Sequence, residues 1–289
     1  MRVVLIYNPA AGRRKQKRLL PRLIETLEAS GFEIEAVGTA GPDDATRIAR
    51  EAVGGGDRDA VLVLGGDGTV REAAVGLLDT EVPLGILPAG TANVLAQALG
   101  FPTEPLQVAS LLGESSIRSF DVGLCGDTPF LMMASSGLDA VVMGEVDPGL
   151  KATFGPAGVF LSGLKSWWTY DYPELTLEVD GEIVHATLAA ACNIPLYGGP
   201  FRLAPDARFD DGLLDLALFR GGRGATVGFA VDVLRGTHLS RPDVEIRRVE
   251  EVIFRGPEAI CLQIDGDACE EPLPAPVRVG DRKLRVLAR

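Results

Sequence analysis

Histidine is nearly missing from this chain, with only His185 and His238 present. Neither lies near a glycine-rich motif, so proton transfer by side chains falls to carboxylates, or else to water. Cysteine is scarce too. Cys125, Cys192, Cys261 and Cys269 are scattered, with no Cys-x-x-Cys pair, which argues against zinc and against a disulfide framework and fits buried thiols in a reducing compartment. A basic excess is also lacking: 28 Lys and Arg face 40 Asp and Glu, a formal net charge of -12. That balance speaks against general nucleic-acid binding, which needs a basic face, and gives no overall pull toward anionic membranes. No run approaches the roughly 20 apolar residues that cross a bilayer. The first residues enter a strand without the basic region, apolar stretch and cleavage site of a leader. A cytoplasmic protein is expected, with peripheral attachment at the inner face of the membrane left open. Internal repeats, low-complexity tracts and long polar linkers are absent as well.

What is present is enough apolar material, 46% of 289 residues, to fill the cores of two domains. From residue 1 to 121 strands and helices alternate. A strand at 3–7 precedes a helix carrying Leu19, Leu20, Leu23, Ile24 and Leu27 on one face. A strand near 33–39 leads to a helix with Ala45, Ile48, Ala49, Ala52 and Val53. The strands are short continuous apolar runs, as a parallel sheet covered by helices on both faces requires, so this part reads as three-layer α/β. Residues 122–289 read as mostly β, with a hairpin at Leu175–Val184 turning on Asp180-Gly181 and a helix at Ala225–Leu234. Arg278–Gly280 and Lys283–Leu287 read as a last hairpin, about 278–289, that packs back on the first domain. A helix over Ala157–Trp168, with Trp167 and Trp168 beside Lys151 and Lys165, has two readings: ordinary core, or a greasy lid at a membrane boundary. The basic cluster Arg13, Arg14, Lys15, Lys17 and Arg18 is likewise either a solvated helix start or an attractor of phosphates and acidic head groups.

The most informative segment is Gly65-Gly66-Asp67-Gly68-Thr69, which follows the apolar run Ala60–Leu64 and leads into the helical pattern Val70, Ala73, Ala74, Leu77. A buried strand ending in glycines lets backbone N–H groups approach an anion, and the next helix adds its positive N-terminal dipole. Asp67 would repel phosphate unless a divalent cation stood between them, which implies Mg2+. Read alone, the glycine pair is better taken as an ordinary strand-to-helix turn with an Asp or Thr cap.

Four further segments accompany it: Asn8-Pro9-Ala10-Ala11-Gly12, Leu87–Ala96 with its Gly90-Thr91-Ala92-Asn93, Asp210-Asp211-Gly212-Leu213, and Ile264-Asp265-Gly266-Asp267. Together and in this order they resemble the diacylglycerol kinase catalytic family, which includes bacterial lipid kinases and sphingosine kinases, over nearly the whole chain. The Gly-Gly-Asp-Gly-Thr loop alone is similar to that of NAD kinases and 6-phosphofructokinases; the other segments narrow it. The resemblance implies an N-terminal nucleotide-binding domain of that α/β type and a C-terminal β-sandwich that holds the lipid. It implies ATP and Mg2+ as cofactors and a lipid substrate met at the membrane surface; a homodimer stays open.

By the same resemblance, Asn8, Pro9, Ala10, Ala11, Gly12, Thr39, Gly65, Gly66, Asp67, Gly68, Thr69, Val70, Arg71, Glu72 and Thr91 line the ATP site, with Asn93 bracing its loop. Asp67 and Asp121 belong to the acidic surroundings of the nucleotide metal. A structural Mg2+ is implied at the Asp211 side chain and the carbonyls of Arg208 and Leu213. The catalytic carboxylate is implied in the Asp265-Gly266-Asp267 turn, where relatives carry Glu at the third position and this chain carries Asp267. That change withdraws the carboxylate by about 1 Å, which can cost on the order of 10²-fold where geometry is tight, and leaves Asp265 to share or take over the role. Ala11 replaces a common Ser or Thr and removes one hydroxyl donor. The expected activity is phosphoryl transfer from ATP to a lipid hydroxyl. The alternatives are a soluble-substrate kinase of NAD-kinase type, and a catalytically silent lipid-binding protein prompted by Asp267.

Overall fold

The computed structural model describes residues 1–9, 13–145, 167–256 and 261–289. Ala10, Ala11 and Gly12, and the expected helix 157–168 up to residue 166 with Lys151 and Lys165, lie outside the described residues, as do the side chains of Arg13, Arg14, Lys15 and Lys17. The chain divides into two compact units, Met1–Phe120 with Asp281–Arg289, and Asp121–Gly280.

The first unit is a parallel sheet with helices. Its strands β1 (Arg2–Tyr7), β2 (Glu33–Gly38), β3 (Ala60–Gly65) and β4 (Leu84–Pro88) run in the order β2-β1-β3-β4. Val286, near the chain end, pairs parallel with Leu84 of β4. The connections are α1 (Arg13–Ala29), α2 (Asp44–Gly54), α3 (Asp67–Leu77), α4 (Val94–Ala98) and α5 (Pro105–Leu111). All six residues of β3 are buried, so both faces of the strand are covered, which is why an unbroken Ala-Val-Leu-Val-Leu run forms it. The helices bury the stripes their spacing marks out: Leu23 and Leu27 on α1, Ala45, Ile48, Ala49 and Ala52 on α2, Val70, Ala73, Ala74 and Leu77 on α3.

The second unit is a sandwich of antiparallel sheets. Its strands are β5 (Ser116–Cys125, entering from the first unit), β6 (Thr128–Phe130), β7 (Met133–Ser136), β8 (Leu175–Val179), β9 (Glu182–Ala186), β10 (Leu188–Cys192), β11 (Leu196–Tyr197), β12 (Phe201–Arg202), β13 (Leu214–Phe219), β14 (Val244–Val249), β15 (Glu251–Phe254), β16 (Leu262–Ile264), β17 (Asp267–Cys269) and β18 (Ala275–Ala288). One sheet has the order β14-β13-β10-β7-β16-β17, and β18, β15, β8 and β9 pair in turn to form the other. Leu175, Leu177, Val252, Phe254 and Val277 of the latter share one core with Ala189, Ala191, Leu214, Leu216 and Leu218 of the former. The alternate residues Ala190, Cys192, Ala217 and Phe219 form a second core under α7 (Arg223–Arg235). Burial on both faces explains why β10 is a continuous apolar run and β13 is one apart from Asp215.

One expectation is corrected here. Residues 278–288 do not fold as a hairpin but belong to one unbroken strand, β18. Gly280 had suggested a turn; its actual reason is close approach, since a Cβ there would come within 3.0 Å of the Val122 carbonyl oxygen and 3.1 Å of the Leu124 side chain. The half read as mostly β also holds a helix before residue 146, α6 (Leu138–Glu145).

Candidate active site

In the first unit the glycine loop is shorter than a loop: β3 ends at Gly65, α3 begins at Asp67, and Gly66 alone joins them in extended conformation. Gly68 and Thr69 therefore lie in the first helical turn, where backbone N–H groups have no intrahelical acceptor. A Cβ at Gly68 would meet nothing within 4 Å, so the space before the helix is open. Behind it, Gly66 packs on Gly90. A Cβ on Gly90 would stand 2.5 Å from the Gly66 Cα, so position 90 has no room for a side chain, while a Cβ on Gly66 would meet the Gly90 Cα tightly at 3.3 Å.

Asn93 holds this arrangement. It is 7% exposed, adopts a left-handed conformation (φ 49°), and bonds Gly90 twice: Oδ1 accepts the Gly90 N–H at 2.8 Å and Nδ2 donates to its carbonyl at 3.0 Å. Asp67 ties the same two loops together, its Oδ1 accepting the Leu95 N–H at 3.1 Å. Asp67 has a second carboxylate oxygen to offer a cation, and amides, an open face and an acidic side chain are the donor types that suit a metal-bound phosphate. Glu72 does different work: burial pushes its carboxyl up, while the N–H groups of Asp43 and Ala45, at the start of α2, draw it down. Thr39 donates its backbone N–H to the Tyr7 carbonyl at 2.9 Å. Thr91 and Pro9 are exposed; Asn8, Thr69 and Arg71 are half-buried.

In the second unit, Asp265-Gly266 is the centre of a two-residue hairpin between the paired residues Ile264 and Asp267. Both central residues have positive φ, 51° and 87°, the type I′ pattern that Asp-Gly favours. Asp180-Gly181 repeats it with 51° and 80°. The side chains differ. Asp265 folds back onto the β6–β7 connection, Oδ2 accepting the Leu131 N–H at 2.8 Å and Oδ1 those of Met132 and Met133 at 2.7 and 3.1 Å. Asp267, two residues on, is exposed.

Asn193, a residue no motif singles out, connects this turn to Asp121. Fully buried at the end of β10, it donates Nδ2 to the carbonyls of both Asp121 and Leu131 at 2.8 Å. Asp121 is 3% exposed, and its Oδ2 accepts the Gly212 N–H at 2.6 Å. Next to it, Asp211 accepts the Leu213 N–H at 3.2 Å and pairs with Arg248. The buried Asp215 Oδ2 has no partner among the described residues. Burial pushes the Asp215 carboxyl up; Arg248 opposes this, and Asp211 and Asp206 add to it. Surplus negative charge, oxygen donors and an orphaned carboxylate oxygen fit a hard cation. Among the described residues no three His, Cys, Asp or Glu side chains converge, so such an ion would draw on backbone carbonyls, those of Arg208 and Leu213 being the ones anticipated.

A last polar group lies inside the sandwich. The Ser135 hydroxyl donates to Asp139 Oδ2, Gln263 Nε2 donates to Ser135 Oγ at 2.5 Å, and Gly266 N–H donates to Gln263 Oε1 at 2.8 Å. Burial pushes the Asp139 carboxyl up, opposed by Ser135 and by the neighbouring Tyr197 hydroxyl among others.

With this geometry in place, comparison with known proteins is informative. Residues 2–125 match the diacylglycerol kinase catalytic domain, and residues 132–288 match the YegS C-terminal NAD kinase beta sandwich-like domain. A diacylglycerol kinase of Bacillus subtilis is 30% identical over 272 residues, covering 92% of this chain and 89% of the relative. One of Staphylococcus carnosus is 29% identical over 275 residues, covering 92% and 88%. A crystal structure of a diacylglycerol kinase from Bacillus anthracis superposes with a TM-score of 0.80 at 24% identity, covering 100% of this chain and 97% of that one; at that identity it speaks for the fold.

Proposed function

The chain belongs to the diacylglycerol kinase catalytic family, phosphotransferases acting on an alcohol, and on that premise we propose that it transfers the γ-phosphoryl group of ATP, with Mg2+, to the hydroxyl of diacylglycerol or a related lipid alcohol drawn from a membrane surface. The observation that carries this is the backbone contact of Gly66 with Gly90 beneath the N-terminus of α3, braced by Asn93 and Asp67. It favours a flat backbone floor for phosphates over a plain strand-to-helix turn.

In this reading the N–H groups of Gly66 to Thr69 donate to phosphate oxygens, and Asp67 offers its carboxylate to the nucleotide metal. Asp211 with the carbonyls of Arg208 and Leu213 would hold a structural ion. Bound Mg2+ supplies charge neutralisation on the phosphates. Asp267, exposed just after its hairpin turn, takes the proton from the lipid hydroxyl as general base. Asp265, with three amide donors on its carboxylate, serves as a brace rather than as the base.

The test is incubation of the purified protein with ATP labelled at the γ-phosphate and, in separate detergent micelles, diacylglycerol, a sphingoid base or a monoacyl lipid, with NAD as a soluble acceptor. Label is expected in one lipid product and is lost with EDTA. Folded protein that labels no lipid, or labels NAD instead, refutes the reading.

A further inference from the structure

Resting on that reading of Asp267, we infer that Asp139, Ser135 and Gln263 form a buried relay that fixes the Asp265-Gly266 turn and so positions Asp267 for transfer.

The three side chains are 8%, 0% and 3% exposed, inside a sandwich whose buried residues are mostly apolar. Polar groups so placed are costly unless each is bonded, and partly bonded ones are worse than none. Their order of donors follows from the turn. The Gly266 N–H can only donate, so the acceptor facing it at 2.8 Å must be Gln263 Oε1. That choice points Gln263 Nε2 at Ser135, so Ser135 Oγ must accept, and its one hydrogen goes to Asp139 Oδ2. Asp139 closes the chain as an acceptor. It needs only Oδ2 for this, and its Oδ1 has no partner among the described residues. The relay crosses two strands directly, because Ser135 of β7 and Gln263 of β16 face each other in register.

The second hairpin acts as an internal control. Asp180-Gly181 adopts the same backbone turn, and among the described residues no side-chain hydrogen bond reaches it. The turn therefore forms without help, so the relay is not needed to make it. What the relay adds is restraint: Asp265 is held through the amides of residues 131–133 and Gly266 through Gln263, so the residue that follows leaves the turn in one direction. A shortened carboxylate at position 267 has the most to lose from a loose turn.

The experiment compares the full-length protein with Ser135→Ala, Gln263→Leu and Ser135→Thr, the last retaining the hydroxyl. Amide hydrogen exchange is read on peptides spanning 262–269 by mass spectrometry, next to kcat and KM for ATP. Expected for Ser135→Ala and Gln263→Leu are exchange at least tenfold faster at the 265–267 turn and a kcat lower by about tenfold to 10²-fold. KM for ATP stays within twofold, and Ser135→Thr recovers most of both losses. Unchanged exchange overturns the relay. So does faster exchange with wild-type kcat, or a loss in which KM for ATP rises together with a fall in kcat. If the wild-type protein labels no lipid at all, it is the proposed function that fails, and the exchange data still decide the relay.

Discussion

Asp265 and Asp267 sit two residues apart on one hairpin, and replacing each by asparagine should have opposite consequences for stability and for turnover. Asn tolerates the left-handed backbone that position 265 requires (φ 51°), so Asp265→Asn isolates the carboxylate. The substitution turns one acceptor oxygen into a donor that faces an amide, leaving one of the Leu131, Met132 and Met133 N–H groups unpaired. An unpaired half-buried donor costs about 1–3 kcal/mol, and losing the charge on two remaining bonds about 1 kcal/mol each, for a total of about 3–5 kcal/mol. For a unit of this size that is a fall in Tm of roughly 6–20 °C. Asp267 is exposed, so Asp267→Asn should leave Tm within about 1 °C while abolishing lipid phosphorylation. Calorimetry and the labelled-ATP assay on the same preparations separate the two. A Tm within 2 °C of wild type for Asp265→Asn, or an equal fall for Asp267→Asn, refutes the division into brace and base.

Gly90→Ala should weaken ATP without unfolding the protein, because its Cβ must push against Gly66 at 2.5 Å and Asn93 Oδ1 at 3.0 Å; a strain of about 1–3 kcal/mol corresponds to a KM for ATP raised about fivefold to 150-fold, and an unchanged KM counts against the cradle. Arg241 holds Asp243 with two bonds, at 2.9 and 2.8 Å, and Asp232 with a third at 2.9 Å, and this guanidinium keeps the Asp243 carboxyl below its ordinary range. A depressed carboxyl stabilises above its unfolded pKa and loses that contribution as pH falls through the folded value. The Tm gap between wild type and Arg241→Met should therefore be present at neutral pH and close below about pH 4, and a gap that persists at pH 2.5 argues for packing instead. Of the four thiols, Cys261 is exposed while Cys125 and Cys192 are buried. Hydrogen bonding to Cys269 and burial push the Cys125 thiol up, and burial does the same to Cys192. N-ethylmaleimide should thus label Cys261 first, which peptide mass spectrometry checks.

How far the sequence could be read depended on whether a residue's reason lay beside it in the chain. The Ala60–Leu64 run, the apolar stripes of α1 to α3 and the two Asp-Gly hairpins are local patterns, and each appears where its period or turn chemistry puts it. Asn93 was legible because its partner Gly90 is three residues away. Asn193 was not, since its partners Asp121 and Leu131 are remote in sequence and it ends an alanine-rich strand with no motif around it. Ser135, Asp139 and Gln263 were hidden for the same reason; each is an unremarked polar residue until the β7–β16 register sets Ser135 against Gln263.

Glycine shows most plainly what local reading lacks. Gly266 and Gly280 look alike in the chain, each beside an aspartate. Gly266 has φ 87° and makes a turn, whereas Gly280 lies within a strand because the Val122 carbonyl passes 3.0 Å from where its Cβ would be. Conformational need is written in the neighbours of a residue along the chain, but steric need is written in residues that only folding brings close. The same distinction separates Asp265 from Asp267: one is engaged by amides from residues 131–133, the other is exposed, and no spacing rule applied to Ile-Asp-Gly-Asp could have told which carboxylate those amides hold.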